Sequence, residues 1–469
     1  SLKKGMDPLS FTGDCWDVTV KNCGEIAAPF PLSALINDSV ISTKWEKGFL
    51  GTKTIKVHWI DLDRLDIGAL WEVPEIKRKN NSIRKSGILK KIEPIKLQFM
   101  GSIENPKYSQ LNFLPVLGWN NYNKTMAGVL FYNSVLPVKN FEFQLMPMYS
   151  YVKNDFAGSG KIHYTSYLDN SIIHNIDFSI SASQYSYEHD KGNNFQKMKA
   201  EIDFTLQPEN AKSSVEKHIV LNSNKVSDII YRKKAYNYFN NLKLVYKDNR
   251  LLNPFSVSIN NQHGYADGYH YVKSWLDVEY KINYNSEKKG LFLRLFGGGF
   301  IYNVTNKAIY NFRISGANGI EDYQFDETFL GRTELIQNDQ KDFLSHQFVR
   351  NDGGFTAYSP WGQSNSWLVA LNLTSTIPSP APFRIFVNFA SFPSVNYFNS
   401  KQYFVTETGI ELRLIPEICS VFFPIWMTAD LKKTNELYTP EYFQKVRFTL
   451  NINKLNLFEQ RKNLPKMMY

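Results

Sequence analysis

Arg332 is the side chain in this sequence whose chemistry and setting suggest a specific role. It follows Gly331 within residues 317–352, a segment rich in Gly, Asn, Asp and Gln that lacks strand alternation and is too long for a hairpin loop. A guanidinium binds a carboxylate through two parallel hydrogen bonds, and Glu407 and Glu411 fall on the polar face of a predicted strand. The sequence predicts a structural latch in the barrel lumen between Arg332 and one of these acids; a solvated loop arginine is the alternative.

The remaining reactive side chains form no recognisable catalytic or metal-binding motif. None of the eight histidines has the His-Glu-x-x-His spacing of a zinc peptidase, and no Gly-x-Ser-x-Gly elbow is present. His263 and His270 flank a Gly-rich turn, which favours a loop over a ligand pair. We therefore predict no catalytic, cofactor-binding or metal-binding residues, and no hydrolytic activity of the chain alone.

The three cysteines also lack ligand spacing. Cys15 and Cys23 are eight residues apart, so an extended strand would separate them by about 26 Å and a disulfide would need a tight reversal. Cys419 lies in a strand-like run, where a cysteine acts as a small apolar filler.

A two-residue alternation of apolar and polar side chains indicates the elements that would position Arg332 and its acids. It is clear in Val446, Phe448, Leu450 and Ile452, and it returns in Ile202 with Phe204 and in Leu276 with Val278. Alternation of this kind is typical of a strand with one apolar and one polar face. We expect these apolar residues to face lipid, and their neighbours to face the lumen.

Strand length and composition favour a membrane barrel over a soluble sandwich. The predicted strands run for about 10–16 residues with aromatic side chains near their ends, as in transmembrane barrels. Aromatic residues make up 15% of the 469 residues, and the mean hydropathy is −0.35 because half of each strand is polar. No run of about 18 apolar residues exists to form a membrane helix. Sixteen strands are predicted, eleven before residues 317–352 and five after, and an even number places both termini in the periplasm.

The chain is predicted to be all-β, with a small immunoglobulin-like β-sandwich followed by a sixteen-stranded antiparallel transmembrane β-barrel. Short strands at spacings of about 8–12 residues indicate the sandwich. The start, Ser1-Leu2-Lys3-Lys4-Gly5, lacks the apolar core of a signal peptide, so we expect a mature or truncated product. The predicted organisation is a linker over 1–12, the sandwich over 13–82, a basic linker over 83–108, the barrel over 109–458 with lumen loop 317–352, and a tail over 459–469.

Basic residues exceed acidic ones, giving a net charge of +10. The densest cluster comprises Lys77-Arg78-Lys79, Arg84-Lys85 and Lys90-Lys91, before the first predicted barrel strand. It suits anionic headgroups beside a membrane or a solvated linker. Because the other basic residues are spread among lumen positions, we predict no nucleic-acid partner.

The layout resembles the sixteen-stranded outer-membrane barrel superfamily that includes the assembly insertase and two-partner secretion translocators. The resemblance rests on the insert with Phe329-Leu330-Gly331-Arg332 and Asp352-Gly353-Gly354-Phe355, and on the strands carrying Ile385–Phe389 and Thr408–Arg413. Asn388 stands where the family has an aspartate, so it joins the predicted latch residues. The resemblance implies a long loop folded into the lumen before the twelfth strand.

A second resemblance is to the C-terminal barrel half of long Gram-negative polypeptides whose N-terminal half is a gluzincin zinc aminopeptidase. It rests on Leu114–Tyr122, Met126-Ala127-Gly128 and Pro147–Ser150, with Trp45–Gly51 in the small module. It implies that a peptidase domain precedes the chain in the full polypeptide.

From these features we predict an outer-membrane barrel that anchors or scaffolds a periplasmic module, plausibly the membrane part of a metallopeptidase-type polypeptide. The first alternative is an assembly or translocation barrel, and the second is a porin, which the long insert argues against. The expected partners are outer-membrane lipid or lipopolysaccharide and periplasmic or outer-membrane proteins.

Overall fold

The computed structural model is built almost entirely of strands. It describes residues 2–5, 15–58, 62–70, 72, 81–85, 95–101, 108–136, 138–168, 170–188, 194–210, 212–230, 233–266, 268–284, 289–305, 307–332, 343–377, 382–393, 402–456 and 458. The chain divides into two compact units, Ser1–Phe113 and Leu114–Tyr469. Lys77–Lys79 and Lys90–Lys91 of the basic cluster lie outside the described residues.

Two small sheets form the first unit. Their strands are β1 (Leu2–Gly5), β2 (Cys15–Asn22), β3 (Phe30–Ile36), β4 (Ser39–Glu46), β5 (Gly51–His58), β6 (Arg64–Ile67) and β7 (Ser82–Arg84); β8 (Ile95–Phe99) follows and belongs to the barrel sheet described below. One sheet has the order β1-β2-β5 and the other β4-β3-β6-β7. Apolar residues of both sheets share one core, which includes Val18, Ile55, Leu32 and Leu65. The two sheets pack as a sandwich, and its immunoglobulin-like character stays a prediction.

The barrel wall follows in sequence. Its strands are β9 (Ser109–Asn120), β10 (Lys124–Tyr132), β11 (Phe141–Ser150), β12 (Asp155–Tyr167), β13 (Ile173–Ser186), β14 (Asn194–Leu206), β15 (Val215–Ile230), β16 (Lys233–Asp248), β17 (Phe255–Ala266), β18 (Tyr269–Asn283) and β19 (Gly290–Asn303), then β22 (Trp367–Thr376), β23 (Phe383–Pro393), β24 (Gln402–Ile415), β25 (Cys419–Met427) and β26 (Arg447–Leu450). Two short strands, β20 (Phe312–Arg313) and β21 (Gln363–Ser364), pair with each other. Helices α1 (Ala429–Tyr438) and α2 (Tyr442–Lys445) precede β26.

Seventeen strands belong to one barrel sheet, in the order β10 to β19, β22 to β26, β8 and β9. The predicted all-β barrel is confirmed, with sixteen wall strands from β9 onward and a seventeenth, β8, which runs parallel to β9. β8 falls in the segment predicted as a basic linker, although Ile95-Lys96-Leu97-Gln98-Phe99 alternates, because the run is only five residues long and follows the basic cluster.

The strand count of sixteen arose from two errors that cancel. Residues 209–235 were predicted to be irregular, yet they contain β15, whose run Ile219-Val220-Leu221 interrupts the alternation. Residues 307–316 were predicted to be a wall strand, yet they form a 3-10 turn and β20. Tyr310, Phe312 and Ile314 alternate because their side chains are buried inside the barrel, so alternation there reports packing and not a membrane face.

The two faces of the wall differ as predicted. On β18, Tyr271 and Lys273 are buried, whereas Leu276, Tyr280 and Ile282 on the opposite face are exposed. Because successive strand residues point to opposite faces, each strand has an inner face toward the lumen and an outer face. Val278 shares the outer face of Leu276, and Ile202 and Phe204 share that of the exposed Met198.

Cys15 begins the extended strand β2 and Cys23 directly follows its last residue, and Cys23 is a free thiol. The strand keeps the two residues apart, so they do not form the tight reversal that a disulfide would need. Cys419 begins β25 and is partly buried, in keeping with an apolar filler.

Candidate functional site: the insert and its seat in the lumen

Residues 304–366, here called the insert, connect β19 to β22, and the described part of the insert lies against the inner face of the wall. Polar side chains of nine strands, β14 to β19, β22, β24 and β26, hydrogen-bond to it. The contacts are Lys197 Nζ to Phe325 O (3.1 Å), Asn224 Nδ2 (2.9 Å) and Asn241 Nδ2 (3.1 Å) to Gln324 Oε1, Tyr323 OH to Gln262 Oε1 (2.5 Å), Lys273 Nζ to Tyr310 O (3.1 Å), Arg294 Nη1 to Asp352 O (2.7 Å), Asn372 Nδ2 to Gly353 O (2.9 Å), Thr356 N to Glu407 Oε1 (2.6 Å) and Arg447 Nη1 to Thr356 O (3.0 Å). Since nine strands turn the same face toward one segment, the sheet curves around the insert, which occupies the lumen.

Four polar side chains form a row across the inner face of the wall and contact the insert. Arg294, Asn372, Asn388 and Glu407 are directly opposite one another on β19, β22, β23 and β24. They form a hydrogen-bonded chain from Arg294 Nη1 to Asn372 Oδ1 (3.1 Å), Asn372 Nδ2 to Asn388 Oδ1 (2.9 Å) and Asn388 Nδ2 to Glu407 Oε1 (2.7 Å). We call this row the seat. Asp277 Oδ2 fixes its first member by accepting from Arg294 Nη2 at 2.6 Å.

The seat binds the backbone of residues 352–357. Arg294 and Asn372 donate to the carbonyl oxygens of Asp352 and Gly353. Glu407 accepts from the backbone N–H groups of the next residues, Thr356 (2.6 Å) and Ala357 (2.9 Å). The Glu407 carboxylate is fully buried, and hydrogen bonds to a charged group contribute about 1.5–3 kcal/mol each. The seat therefore binds this segment of the insert through the segment's main chain.

Glycines let the backbone approach the seat. Gly354 has φ +65°, and a Cβ there would lie 3.0 Å from both Arg294 Nη1 and Asn372 Oδ1. At the neighbouring Gly353, a Cβ would lie 2.9 Å from the backbone of Ile314. Side chains at these positions would be crowded, and at Gly354 also strained. The motif Asp352-Gly353-Gly354-Phe355 thus has a structural reason.

Arg332 is buried, but its carboxylate partner is a neighbour within the insert. Its Nη2 donates to Asp322 Oδ2 at 2.9 Å and to Glu327 O at 2.5 Å, and its Nη1 donates to Gly319 O at 2.8 Å. The guanidinium also lies 4.6 Å from the ring centroid of Phe325. These contacts hold residues 319–332 in a compact loop.

The predicted pairing of Arg332 with Glu407 or Glu411 is therefore not the one that forms. Glu407 binds residues 356–357, and Glu411 accepts from Ser420 Oγ at 2.9 Å and lies 3.9 Å from Arg384 Nη1, both in the wall. Closing a ten-residue loop onto Asp322 costs less chain entropy than reaching a wall strand. The structure does bring Asn388 and Glu407 together, and it adds Arg294, Asn372, Asp322 and Arg447, which sequence reasoning missed. Inward strand positions were the available signal for Arg294, Asn372 and Arg447, whereas Asp322 lies in the insert, where no strand pattern points to it.

The last strand is held differently from the rest of the wall. β26 pairs with β25 at only four positions, Cys419↔Leu450 to Phe422↔Arg447, whereas β15 and β16 pair at sixteen. β26 and the residue before it also bond to the insert, because Phe348 N donates to Phe448 O and His346 Nδ1 contacts Val446 O, both at 2.9 Å. Val446 and Phe448 are each 6% exposed, so their predicted lipid-facing position is wrong. Phe448 stacks on Phe343 of the insert with ring centroids 4.7 Å apart.

The outer face carries two aromatic levels. Tyr238 and Tyr265 are cross-strand neighbours near the insert end of the barrel, and Phe255 and Tyr280 are neighbours near the other end. Tyr265 and Phe255 are ten residues apart on β17, or about 33 Å along the strand. With a typical strand tilt of about 40°, this corresponds to about 25 Å along the barrel axis, the height of the apolar band in membrane barrels. We call these levels the upper and lower girdles.

Within the described part of the chain, no helix is long and apolar enough to span a membrane. The same residues contain no group of three or more His, Cys, Asp or Glu side chains placed to hold a metal ion.

No family model and no curated protein matches this chain. Similar solved structures include CdiB from Acinetobacter baumannii, with 12% identity and a TM-score of 0.35 over 71% of this chain and 61% of that chain. BamA from Haemophilus ducreyi lacking POTRA domains 1–3 has 11% identity and a TM-score of 0.37 over 70% and 71%. The P pilus usher (PapC) translocation pore has 8% identity and a TM-score of 0.21 over 88% and 75%. The chain spans about 61% of the CdiB chain it matches, and the assignment to the all-β barrels rests on the strand order and contacts above.

Proposed function

We propose that this protein is an outer-membrane β-barrel that assembles or translocates other polypeptides, with its lumen closed at rest by its own insert. The apolar outer face and the two girdles support a membrane location. The lumen contacts of the insert argue against an open porin. The small sandwich would then lie in the periplasm.

The observation that carries the proposal is the four-position pairing of β25 with β26. Backbone hydrogen bonds hold neighbouring strands of a barrel together, so a short pair is the part of the wall that opens at the lowest cost. The carbonyl oxygen of Phe448 on β26 accepts a hydrogen bond from Phe348 N of the insert. A displacement of the insert would therefore free groups on β26 that a strand of another polypeptide could pair with.

A cross-link between β25 and β26 tests this. Ser420 and Thr449 are directly opposite, so Ser420→Cys with Thr449→Cys, in a chain whose three native cysteines are replaced by serine, would lock the pair. The control is Ile180→Cys with Ala200→Cys, which are opposite one another on the long β13–β14 pair. Both proteins are reconstituted in vesicles, and the membrane insertion of an unfolded bacterial barrel protein is measured.

We expect oxidation to abolish the acceleration of insertion in the Ser420/Thr449 protein and to leave it unchanged in the control. Equal activity of the two oxidised proteins would contradict a role for the β25–β26 pair. No acceleration by the wild-type chain would contradict the assembly function.

A scaffold is the second candidate, favoured by the compact sandwich at residues that precede the barrel. A scaffold needs no wall opening, so its vesicles would show no insertion activity while the sandwich remained tethered to the membrane. Association with a zinc aminopeptidase concerns sequence outside this chain and stays a prediction.

A further inference from the structure

The outer face of β15 to β18 carries a group of polar side chains at the upper girdle and just below it. We call it the lateral patch and define it as Lys225, Asn240, Asn261, His263, His270 and Ser274. These residues share the outer face of exposed Leu221, Leu242, Ile259 and Leu276, and they are exposed or partly exposed. They are on the side away from the insert, which contacts Asn224, Asn241, Gln262 and Lys273.

Strand register places the patch at a defined depth. Lys225, Tyr238, Tyr265 and His270 form one row directly opposite one another across the four strands. Asn261 and Ser274, also opposite each other, are four residues further from the insert end. That distance is about 13 Å along the strand, or about 10 Å along the barrel axis at the usual tilt. The patch therefore extends from the girdle into the band that faces acyl chains.

Polar side chains on a lipid-facing surface are costly, so they indicate a polar partner. The groups in the patch are already oriented. The Lys225 ammonium lies 4.8 Å from the Tyr236 ring centroid and 5.8 Å from that of Tyr238. His263 Nε2 lies 3.2 Å from His270 Nδ1, and Asn261 Nδ2 donates to Ser274 Oγ at 2.7 Å.

The charge of the patch selects an anion. A lysine supplies positive charge and two imidazoles supply N–H donors, and the outer-face positions of β15 to β18 from 217–227, 238–246, 255–265 and 270–282 include no Asp or Glu. Phosphate is the anion that such donor clusters bind well. Tyr236, Tyr238 and Tyr265 present exposed rings beside them, and an aromatic face packs against the C–H face of a sugar.

The patch is at the end of the barrel that carries the longest connections, the insert and the segment 428–446 with α1 and α2. Outer-membrane barrels have their longer loops on the extracellular side, so this end belongs to the outer leaflet. We infer that the lateral patch binds the phosphorylated sugar headgroup of an outer-leaflet glycolipid. The inference rests on the proposed membrane location and not on the proposed assembly activity.

The test uses the full chain in detergent and native mass spectrometry, with diphosphorylated lipid A as the probe. Dephosphorylated lipid A and phosphatidylglycerol are the comparison lipids. The variants are Lys225→Ala and the pair His263→Ala/His270→Ala. Matched controls exist near the lower girdle. Lys217, on the same outer face as the patch, lies 5.9 Å from the Tyr246 ring centroid, and His174, at the irregular start of β13, packs edge-on against Tyr167.

We expect one bound lipid A per chain, an affinity reduced at least about tenfold in each patch variant, and unchanged binding in Lys217→Ala and His174→Ala. Heat-modifiable migration on gels confirms that each variant is folded.

Equal binding of dephosphorylated lipid A or of phosphatidylglycerol would overturn the glycolipid assignment. Unchanged binding in the patch variants would overturn the site. A dimer that these variants dissociate, without lipid adducts, would assign the patch to a second copy of the chain instead. Each outcome is independent of whether the vesicles show insertion activity.

Discussion

Replacement of Glu407 by glutamine should release the insert from its seat. The carboxylate accepts four hydrogen bonds, from Thr356 N (2.6 Å) and Asn388 Nδ2 (2.7 Å) at one oxygen and from Ala357 N (2.9 Å) and Thr356 Oγ1 (3.3 Å) at the other. In Glu407→Gln, the new NH2 group faces a backbone N–H whichever way the amide turns. Asn388 cannot turn to compensate without losing its bond from Asn372.

The magnitude follows from these contacts. The variant loses at least one charge-assisted hydrogen bond, about 1.5–3 kcal/mol, and leaves a buried N–H unpaired, about 1–3 kcal/mol. The sum of about 2.5–6 kcal/mol should lower the free energy of local opening at residues 356–357 by that amount. Amide hydrogen exchange there should accelerate at least about 70-fold when exchange proceeds through local opening.

Glu411→Gln is the matched control, because Glu411 is on the same face of β24 but contacts Ser420 and Arg384 of the wall. Hydrogen exchange monitored by mass spectrometry should show faster exchange at 356–357 for the Glu407 variant only. Unchanged exchange in Glu407→Gln, or equal acceleration in the control, would refute the assignment of Glu407 as the residue that holds the insert.

Three further substitutions probe other parts of the structure. Gly354→Ala should also speed exchange at 356–357, by about 10-fold or more from strain and crowding, whereas Gly268→Ala, which has φ +85° but open space around it, should leave those amides unchanged. Arg332→Ala should loosen the loop 319–332, which should raise protease access to this loop and the single-channel conductance while leaving heat-modifiable migration unchanged. An unaltered proteolysis pattern would contradict the role of Arg332 in holding the loop. Leu244→Arg on the outer face should destabilise the refolded barrel by about 2–4 kcal/mol, and Lys243→Arg on the inner face by little; equal costs in urea refolding would refute the face assignment.

The residues of the seat show which contacts in the lumen can be predicted from the sequence and which cannot. Glu407 and Asn388 could be found because strand alternation places them on an inner face, and this depends only on local geometry. Their partner could not be found, because the choice between Arg332 and residues 356–357 depends on how the insert folds on itself. The carboxylate that pairs with the Arg332 guanidinium belongs to Asp322, ten residues away within the insert.

The sequence by itself determined the all-β class, the barrel and most of its wall strands, because each strand carries its own two-residue pattern. It also determined that a long insert interrupts the wall. Tertiary structure decided the rest. β15 forms despite an apolar run because β14 and β16 pair with it along its length, and Tyr310 to Ile314 alternate inside the lumen because the wall packs around them. Phe448 is covered by Phe343, a contact between residues distant in sequence that no local pattern encodes.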